Sequence, residues 1–146
     1  RFFDPYHAAL ADEIARLRTI HPRIVLYDCH SIRSAVPRLF DGELPVFNFG
    51  TANATSCAAG IAETLLASAK DAVPDLPAVL NGRFKGGHIT RTYGNPAQRV
   101  HAIQLELAQR SYMQEVAPYA LDEALVARLK PVLATLVQQF MGFKPS

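Results

Sequence analysis

The sequence predicts an α/β protein with a mostly parallel or mixed sheet. Segments whose apolar residues recur every three or four positions, as in amphipathic helices, alternate with short apolar runs bounded by proline or polar clusters, as in buried strands. The 146 residues are 49% hydrophobic and 19% charged, which is typical of a globular domain with one core. Ligands of such sheets bind at the carboxyl ends of the strands, so site residues are expected there.

The first half of the chain is predicted to contain two helices and two strands. The first helix has Asp4 as its N-cap and Pro5 in its first turn, and the sequence His21-Pro22 ends it. The elements, in chain order, are a helix at 5–20, a buried strand at 23–28, an irregular basic connection at 29–40, a strand at 45–49, and a helix from Thr55 or Ser56 to about Lys70.

The second half is predicted to contain two strands, a loop and two helices. The loop is rich in Gly, Arg and Lys, which indicates a loop or an exposed hairpin. Pro131 lies inside the long helix, so a kink or a break is expected there. The elements are a strand at 78–80, the loop at 81–94, a strand at 100–107 that passes into a helix near Gln109, and the long helix at 121–140.

Charge and cysteine content argue against several classes of function. The chain has 15 Lys and Arg residues against 13 Asp and Glu, and a net charge of +2 is too slight to indicate binding to nucleic acid or to an anionic membrane. No apolar run approaches the roughly 20 residues of a membrane span, and no signal peptide opens the chain. Cys29 and Cys57 form neither a disulfide scaffold nor a closely spaced zinc motif, so a reducing, cytoplasmic location is expected. The oligomeric state is left open.

The first candidate for chemistry is the sequence Asp28-Cys29-His30-Ser31, which directly follows a predicted strand. A histidine at this position is a plausible metal ligand, and a carboxylate two residues earlier could hold its ring in the required orientation. The alternative is a histidine that caps a loop, and the short motif does not decide between the two.

The second candidate is Glu106, at the end of the apolar run His101-Ala102-Ile103-Gln104-Leu105. A glutamate rarely ends a buried strand unless it has a partner or a catalytic task. It could act as a general base that takes a proton from an activated water. The alternative is an exposed glutamate at the start of a helix, stabilised by the helix dipole, and from this segment alone that alternative is favoured.

The third candidate is the segment from Asn81 to Arg91, in which three cations lie among three glycines. Arginine can hold a carboxylate with two parallel hydrogen bonds, so such a loop could bind a small anion. Arg33, close after His30, could add a further cation. The alternative is a solvated basic surface loop, and the glycine spacing matches neither common phosphate-binding motif.

The ligands of a complete metal site are not found in this sequence. A catalytic zinc usually has three protein ligands, and His30 is the one convincing candidate. No H-E-x-x-H motif is present, and no histidine is followed three positions later by Glu or Asp. The chain also begins at Arg1 without methionine and enters a helix at once. Residues 1–146 are therefore expected to be a single domain that forms the C-terminal part of a larger hydrolase domain, with the other ligands upstream.

Six segments together resemble the N-formylglutamate amidohydrolase (N-formylglutamate deformylase) family. They occur in order over most of the chain, and together they are far more specific than any one of them. The segments are Pro5-Tyr6-His7, Asp28-Cys29-His30-Ser31-Ile32, Leu44-Pro45 with Phe47-Asn48-Phe49-Gly50-Thr51, Asn81-Gly82-Arg83-Phe84-Lys85-Gly86-Gly87, Ile89-Thr90-Arg91 with Tyr93-Gly94, and His101-Ala102-Ile103-Gln104-Leu105-Glu106.

The resemblance implies a three-layer α/β/α hydrolase fold like that of the zinc carboxypeptidases, incomplete here at its N-terminus. It also implies the hydrolysis of N-formyl-L-glutamate to formate and L-glutamate, a late step of histidine degradation, with one zinc ion. By position, His30 would be a zinc ligand, Glu106 the general base and Arg83 a partner of a substrate carboxylate.

Further residues are expected to support these three. Arg91, Arg33 and Asn81 are candidates for substrate binding, and Asp28 and His7 are candidates for orienting the ligands of the metal. The sequence departs from the family pattern at three positions, which bear on the choice of substrate more than on the hydrolytic chemistry. These positions are Val46, where an acidic residue is common, His88, where Tyr is common, and Thr92, where His is common.

Two other classes of function fit the same residues. A related zinc hydrolase acting on another acyl-amino acid or on a peptide C-terminus would carry similar loop cations. A non-catalytic module that binds small acidic ligands would carry them as well but need not hold zinc. The substrate class expected in every case is a small acidic molecule.

Overall fold

The computed structural model describes residues 1–144, which form four helices and four strands. Short 3₁₀ turns at Pro96–Gln98 and Gln109–Ser111 flank the last strand. The elements are helix α1 at Phe3–Arg18, strand β1 at Ile24–Ile32, strand β2 at Phe47–Gly50, helix α2 at Ile61–Ala72, strand β3 at Ala78–Leu80, helix α3 at His88–Tyr93, strand β4 at Val100–Ala108 and helix α4 at Glu123–Gly142.

The four strands form one mixed sheet in the order β1-β4-β2-β3. Strand β4 pairs parallel with β1 and antiparallel with β2, and β2 pairs parallel with β3. The α/β class and the mixed sheet expected from the sequence are thus confirmed. Because two strands run in each direction, the carboxyl ends of β1 and β4 meet at one end of the sheet, and those of β2 and β3 point the opposite way.

One face of the sheet carries the main apolar core. Side chains alternate between the two faces of a strand, and Ile103, Leu105 and Leu107 of β4 pack in one cluster with residues of α2 and α4. Leu65 of α2 and Leu136 of α4 are almost completely buried there. This face therefore provides most of the hydrophobic stabilisation, and α2 and α4 present one apolar side each, as their spacing predicts.

The opposite face of β4 is covered by α3 and by polar contacts. Gly87, at the start of α3, donates its N–H to the side chain of Gln104 (2.8 Å), and Thr90 of α3 is fully buried. Helix α1 contains no buried residue and contacts α3 through His7 and Tyr93. The carboxypeptidase-like arrangement of three layers stays a prediction. No helix among residues 1–144 is long and apolar enough to cross a membrane.

Three sequence-based assignments of local structure are wrong. The segment 29–40 is not irregular at its start, because β1 continues to Ile32 by pairing residue for residue with β4. The segment 81–94 is neither a loop throughout nor a hairpin, because residues 88–93 form α3. The burial of Thr90 stabilises this helix against the sheet. The chain forms a single 3₁₀ turn rather than a helix after β4.

The boundaries of three helices also differ from expectation. Helix α1 begins at Phe3 after the N-cap Phe2 and ends at Arg18, so Asp4 lies in its first turn and is not the N-cap. Helix α2 begins at Ile61 instead of near Ser56, because Gly60 takes the N-cap position and Glu63 accepts a hydrogen bond from its N–H (3.0 Å). Helix α4 begins at Glu123, after the N-cap Asp122, and it continues through Pro131 without a break. Pro131 is exposed, so water can reach the carbonyl that lacks an N–H partner.

Candidate active site on the polar face of the sheet

Three polar side chains lie in one row across three neighbouring strands. Glu106 of β4 is in register with His30 of β1 on one side and with Asn48 of β2 on the other. Residues in register share a face of the sheet, and this face is opposite to the one that carries the apolar core. The sheet therefore brings together the two residues that the sequence marked for metal binding and for general base chemistry.

His30 lies near the carboxyl end of a parallel strand, outside the apolar core, as the sequence predicted. Its side chain is 47% exposed, and its Nε2 lies 2.9 Å from Oδ1 of Asp28, whose side chain is only 11% exposed. Asp28 is two residues earlier on the same strand and thus on the same face. A largely covered carboxylate that engages Nε2 fixes the ring and leaves Nδ1 available for a ligand.

Glu106 is a buried carboxylate, with 7% of its surface exposed. Burial raises its pKa above the ordinary value, against the opposing influence of His30 and of a hydrogen bond from Gln104. Nε2 of Gln104 donates to Oε2 of Glu106 over 3.3 Å. The alternative of an exposed glutamate at the start of a helix is wrong, because Glu106 is inside β4 and a single 3₁₀ turn follows.

Gln104 is a site residue that sequence reasoning missed. It is buried, and it connects the backbone of the 81–91 loop, through Gly87, to the carboxylate of Glu106. The signal was present in the sequence: Gln104 and Glu106 are two positions apart in an otherwise apolar strand, so they share a face. Asn48 was also missed as a site residue. It donates to the backbone carbonyl of Glu106 (3.1 Å).

Asn81, predicted as a substrate-binding residue, makes two hydrogen bonds within the protein. Its Oδ1 accepts from the N–H of Thr51 (2.9 Å), and its Nδ2 donates to Oγ1 of the same threonine (2.8 Å). The backbone of Asn81 is left-handed, with φ of 52°, a conformation that asparagine tolerates better than most residues. These contacts join the end of β3 to the end of β2 and so fix the point where the basic loop begins.

The three candidate arginines are exposed and differ in their contacts. Arg91 donates from Nη1 to the carbonyl of Gly86 (2.8 Å), which braces the loop. The guanidinium of Arg83 lies 5.7 Å from the centre of the Phe40 ring. Arg33 directly follows β1, one residue after Ile32. No carboxylate pairs with any of the three within residues 1–144, so their guanidinium groups are available to an anion.

Close backbone contact holds the basic loop against β2. A Cβ built at Gly50 would lie 2.4 Å from the N of Gly86, so only glycine permits this approach. The N–H of Ala52 donates to the carbonyl of Lys85 at the same place (2.6 Å). The loop that carries Arg83 is therefore pinned to the sheet beside Gln104 and Glu106.

His7, predicted to orient the metal ligands, is placed on α1. Its Nδ1 is 2.7 Å from the hydroxyl of Tyr93, and its ring lies 4.6 Å from the ring of His88. Its hydrogen-bond partner is thus on α3 rather than on β1. The contact joins two helices, and a role of His7 near a metal stays a prediction.

The donor set fits part of a zinc site. An imidazole held by a carboxylate is a normal zinc ligand, and His30 with Asp28 has this form. Within residues 1–144, however, no group of three or more His, Cys, Asp or Glu side chains is arranged to hold a metal ion. His30 can therefore supply one ligand, and a complete site needs donors from elsewhere.

A mixed α/β sheet with a buried carboxylate, an oriented imidazole and nearby arginines on one face has components of a hydrolase site. Comparison with known families specifies this further: the chain belongs to the N-formylglutamate amidohydrolase family, whose model matches residues 1–113. The resemblance drawn from the six segments is thereby confirmed.

Individual relatives support the same assignment. The chain is 49% identical over 139 residues to proteins named N-formylglutamate deformylase from Pseudomonas putida and Pseudomonas aeruginosa, covering 95% of this chain and 52% of each relative. The fold is similar to a crystal structure of N-formylglutamate amidohydrolase from Ralstonia eutropha JMP134, with a TM-score of 0.80 and 21% identity over 97% of this chain and 51% of that one. The chain spans about half the length of these proteins.

Proposed function

We propose that the protein containing this chain hydrolyses N-formyl-L-glutamate to formate and L-glutamate, and that this chain supplies the general base, one zinc ligand and the cations that bind the substrate. The observation that carries the proposal is the row formed by His30 and Glu106 at one register position on the polar face. The names of relatives that are 49% identical support the choice of substrate. The resemblance would place the reaction in histidine degradation in the cytoplasm.

Glu106 is proposed to move the proton. Burial raises the pKa of its carboxyl group, which makes the carboxylate a better acceptor for a proton from the attacking water. The hydrogen bond from Gln104 orients the carboxylate, and Gln104 is itself held by Gly87. After attack on the formyl carbon, Glu106 gives the proton to the departing amine of glutamate.

His30 is proposed to bind zinc through Nδ1, because Asp28 engages its Nε2. When bound, zinc would lower the pKa of water from about 15.7 to about 7 and polarise the formyl carbonyl. The other ligands would come from outside residues 1–144. His30 stands in the same row as Glu106, so water activated beside His30 would lie near the base.

Substrate orientation is assigned to the arginines. A formyl group offers little binding surface, so the two carboxylates of the substrate must position the reacting carbon. Arg83 extends from the loop that is pinned beside Glu106 and is the first candidate for a carboxylate partner. Arg33 and Arg91 are the further candidates, and Asn81 contributes by fixing the start of the loop.

The test distinguishes the general base, Glu106, from the residue that holds the substrate carboxylate, Arg83. It is carried out on the full-length protein that contains this chain. Glu106→Gln keeps size and hydrogen bonding but removes basicity, so kcat should fall by roughly 10²–10⁴ with substrate binding little changed. Arg83→Ala should weaken binding of formylglutamate and of the product glutamate alike, by about 1.5–3 kcal/mol. Steady-state kinetics with glutamate inhibition constants measure both effects.

Controls decide each assignment. Arg38→Ala removes an exposed cation to which no role is assigned and should leave the inhibition constant for glutamate unchanged. A near-normal kcat for Glu106→Gln would remove Glu106 from the mechanism. An unchanged inhibition constant for Arg83→Ala would transfer the anchor to Arg91 or Arg33. Activity on a panel of acyl-glutamates, acyl-aspartates and peptides distinguishes the proposed substrate from the related classes.

A further inference from the structure

A second cleft lies at the other end of β1 and β4, far from the candidate active site. Its volume is about 1040 Å³. It is bounded by the end of α1, the starts of β1 and β4, and the end of α4. Its lining includes Leu17, Arg23, Arg99, His101, Met141 and Lys144. From Ile24 to His30 is six residues along β1, or about 20 Å at 3.3 Å per residue, so one small molecule cannot occupy both places.

The charged groups that line this cleft are all basic. Arg23, Arg99 and Lys144 contribute cations, His21 contributes an imidazole, and no Asp or Glu is among the lining residues. Arg23 is partly buried and is held by a hydrogen bond from Nη2 to the carbonyl of Met141 (2.8 Å). A set of cations without a nearby acid attracts an anion, because only an external charge can compensate it.

The conformation of Arg99 is unusual for its residue type. Its backbone is left-handed, with φ of 59°, a region that residues with a side chain rarely adopt. The carbonyl of Arg99 accepts from the N–H of Ile24 (2.9 Å), and its own N–H donates to Pro96 (2.9 Å). These bonds hold the strained turn that presents Arg99 to the cleft.

His101 provides an independent observation that indicates an acceptor is missing. It lines the same cleft and is only 2% exposed. Its Nδ1 accepts a hydrogen bond from the N–H of Ala58 (3.1 Å), so the proton of the neutral ring is on Nε2. Nε2 is buried and has no partner among the described residues. A buried donor without an acceptor is uncommon and needs an explanation. Because Nε2 has almost no accessible surface, the ring must turn toward the cleft before a bound anion can supply the acceptor.

We propose that this cleft binds an organic anion, with a carboxylate or phosphate group held by Arg23, Arg99 and His101 and an apolar part in contact with Leu17 and Met141. The apolar part follows from the lining, since Ile24, Val25 and two prolines complete the wall. The volume exceeds what a single inorganic ion fills, and drug-sized ligands occupy pockets of roughly 300–1,000 Å³.

The experiment is calorimetric titration of the full chain with four probes: acetate, hexanoate, inorganic phosphate and hexyl phosphate. The six-carbon probes should bind more tightly than acetate and phosphate, by about twofold to fourfold for each buried methylene. Comparison of hexanoate with hexyl phosphate identifies the preferred acidic group. Arg99→Asn keeps a residue that tolerates the left-handed backbone and should weaken hexyl phosphate binding by about tenfold.

Two further variants test the role of His101 and the specificity of the charge. His101→Asn places an amide oxygen where Nδ1 accepts from Ala58 and removes the Nε2 donor, so it should weaken anion binding while the circular dichroism spectrum stays native. Lys70→Gln removes an exposed cation on α2, outside the cleft, and should leave binding unchanged. The proposal is overturned by a lack of saturable binding of all four probes, or by equal weakening in Lys70→Gln and Arg99→Asn.

Discussion

Adding one methyl group at Gly50 should displace the basic loop from the sheet. The new Cβ would lie 2.4 Å from the N of Gly86 and 2.6 Å from the carbonyl carbon of Lys85, whereas ordinary contacts begin at 3.4 Å. The loop must therefore retreat by about 1 Å. This movement strains the hydrogen bond from Ala52 to Lys85 (2.6 Å) and the bond from Gly87 to Gln104 (2.8 Å).

The magnitude follows from these contacts. Weakening one or two hydrogen bonds costs about 1 kcal/mol each, and overpacking a tight contact costs about 1–3 kcal/mol. Gly50→Ala should thus lower the free energy of unfolding by about 2–4 kcal/mol. Under the proposed mechanism it should also raise KM, because Arg83 moves with the loop, and lower kcat, because Gln104 loses the contact that orients it toward Glu106.

Urea denaturation followed by circular dichroism measures the loss of stability. Gly142→Ala is the matched control: it adds the same methyl group where nothing lies within 4 Å, so no loss is expected. A Gly50→Ala protein within about 0.5 kcal/mol of wild type, the range of neutral surface changes, would refute the close approach of loop and strand.

Two further predictions concern stability. Burial raises the pKa of Glu106 above its ordinary value of 4.5, so the folded state holds its proton more tightly than the unfolded state, and stability is lost as pH rises from the ordinary value through the raised one. Glu106→Gln should be more stable than wild type above this window and should lose that advantage below it, and a pH-independent difference in urea denaturation would contradict the assignment. Leu136→Ala, at a fully buried position between α4 and the sheet, should lower the free energy of unfolding by about 2–5 kcal/mol. Val137→Ala, on the exposed side of the same helix, should lower it much less. Equal losses would mean that α4 packs with another face.

The order of elements could be predicted from the sequence because local patterns determine it. Apolar spacing located α1, α2 and α4, and short apolar runs located all four strands. The boundaries that failed depend on contacts between distant residues. Residues 29–32 became part of β1 only by pairing with β4, which is more than 70 residues further along the chain. Such pairing leaves no local periodicity to read.

The candidate residues of the site could be proposed from the sequence for a related physical reason, but their arrangement could not. His30 and Glu106 were recognisable because a polar residue in an apolar strand is costly unless it has a partner. Their placement in one row could not be predicted, because it depends on the strand order β1-β4-β2-β3, in which β4 is inserted between β1 and β2. Gln104 was overlooked although it satisfies the same rule as Glu106, and α3 was overlooked because its glycine-rich approach resembles a loop.

The candidate active site places the residues proposed for catalysis and those proposed for substrate binding on different kinds of structure. In the candidate active site, His30 and Glu106 are fixed by strands, where main-chain pairing on both sides of β4 restricts movement. The arginines extend from loops, and backbone contacts at Gly50 and Asn81 hold the base of the main loop. Proton transfer requires heavy-atom distances within about 2.6–3.2 Å, whereas a guanidinium can follow a carboxylate over a wider range. The rigid sheet therefore suits the chemical step and the pinned loop suits substrate binding, which is why displacement of the loop should affect KM as well as kcat.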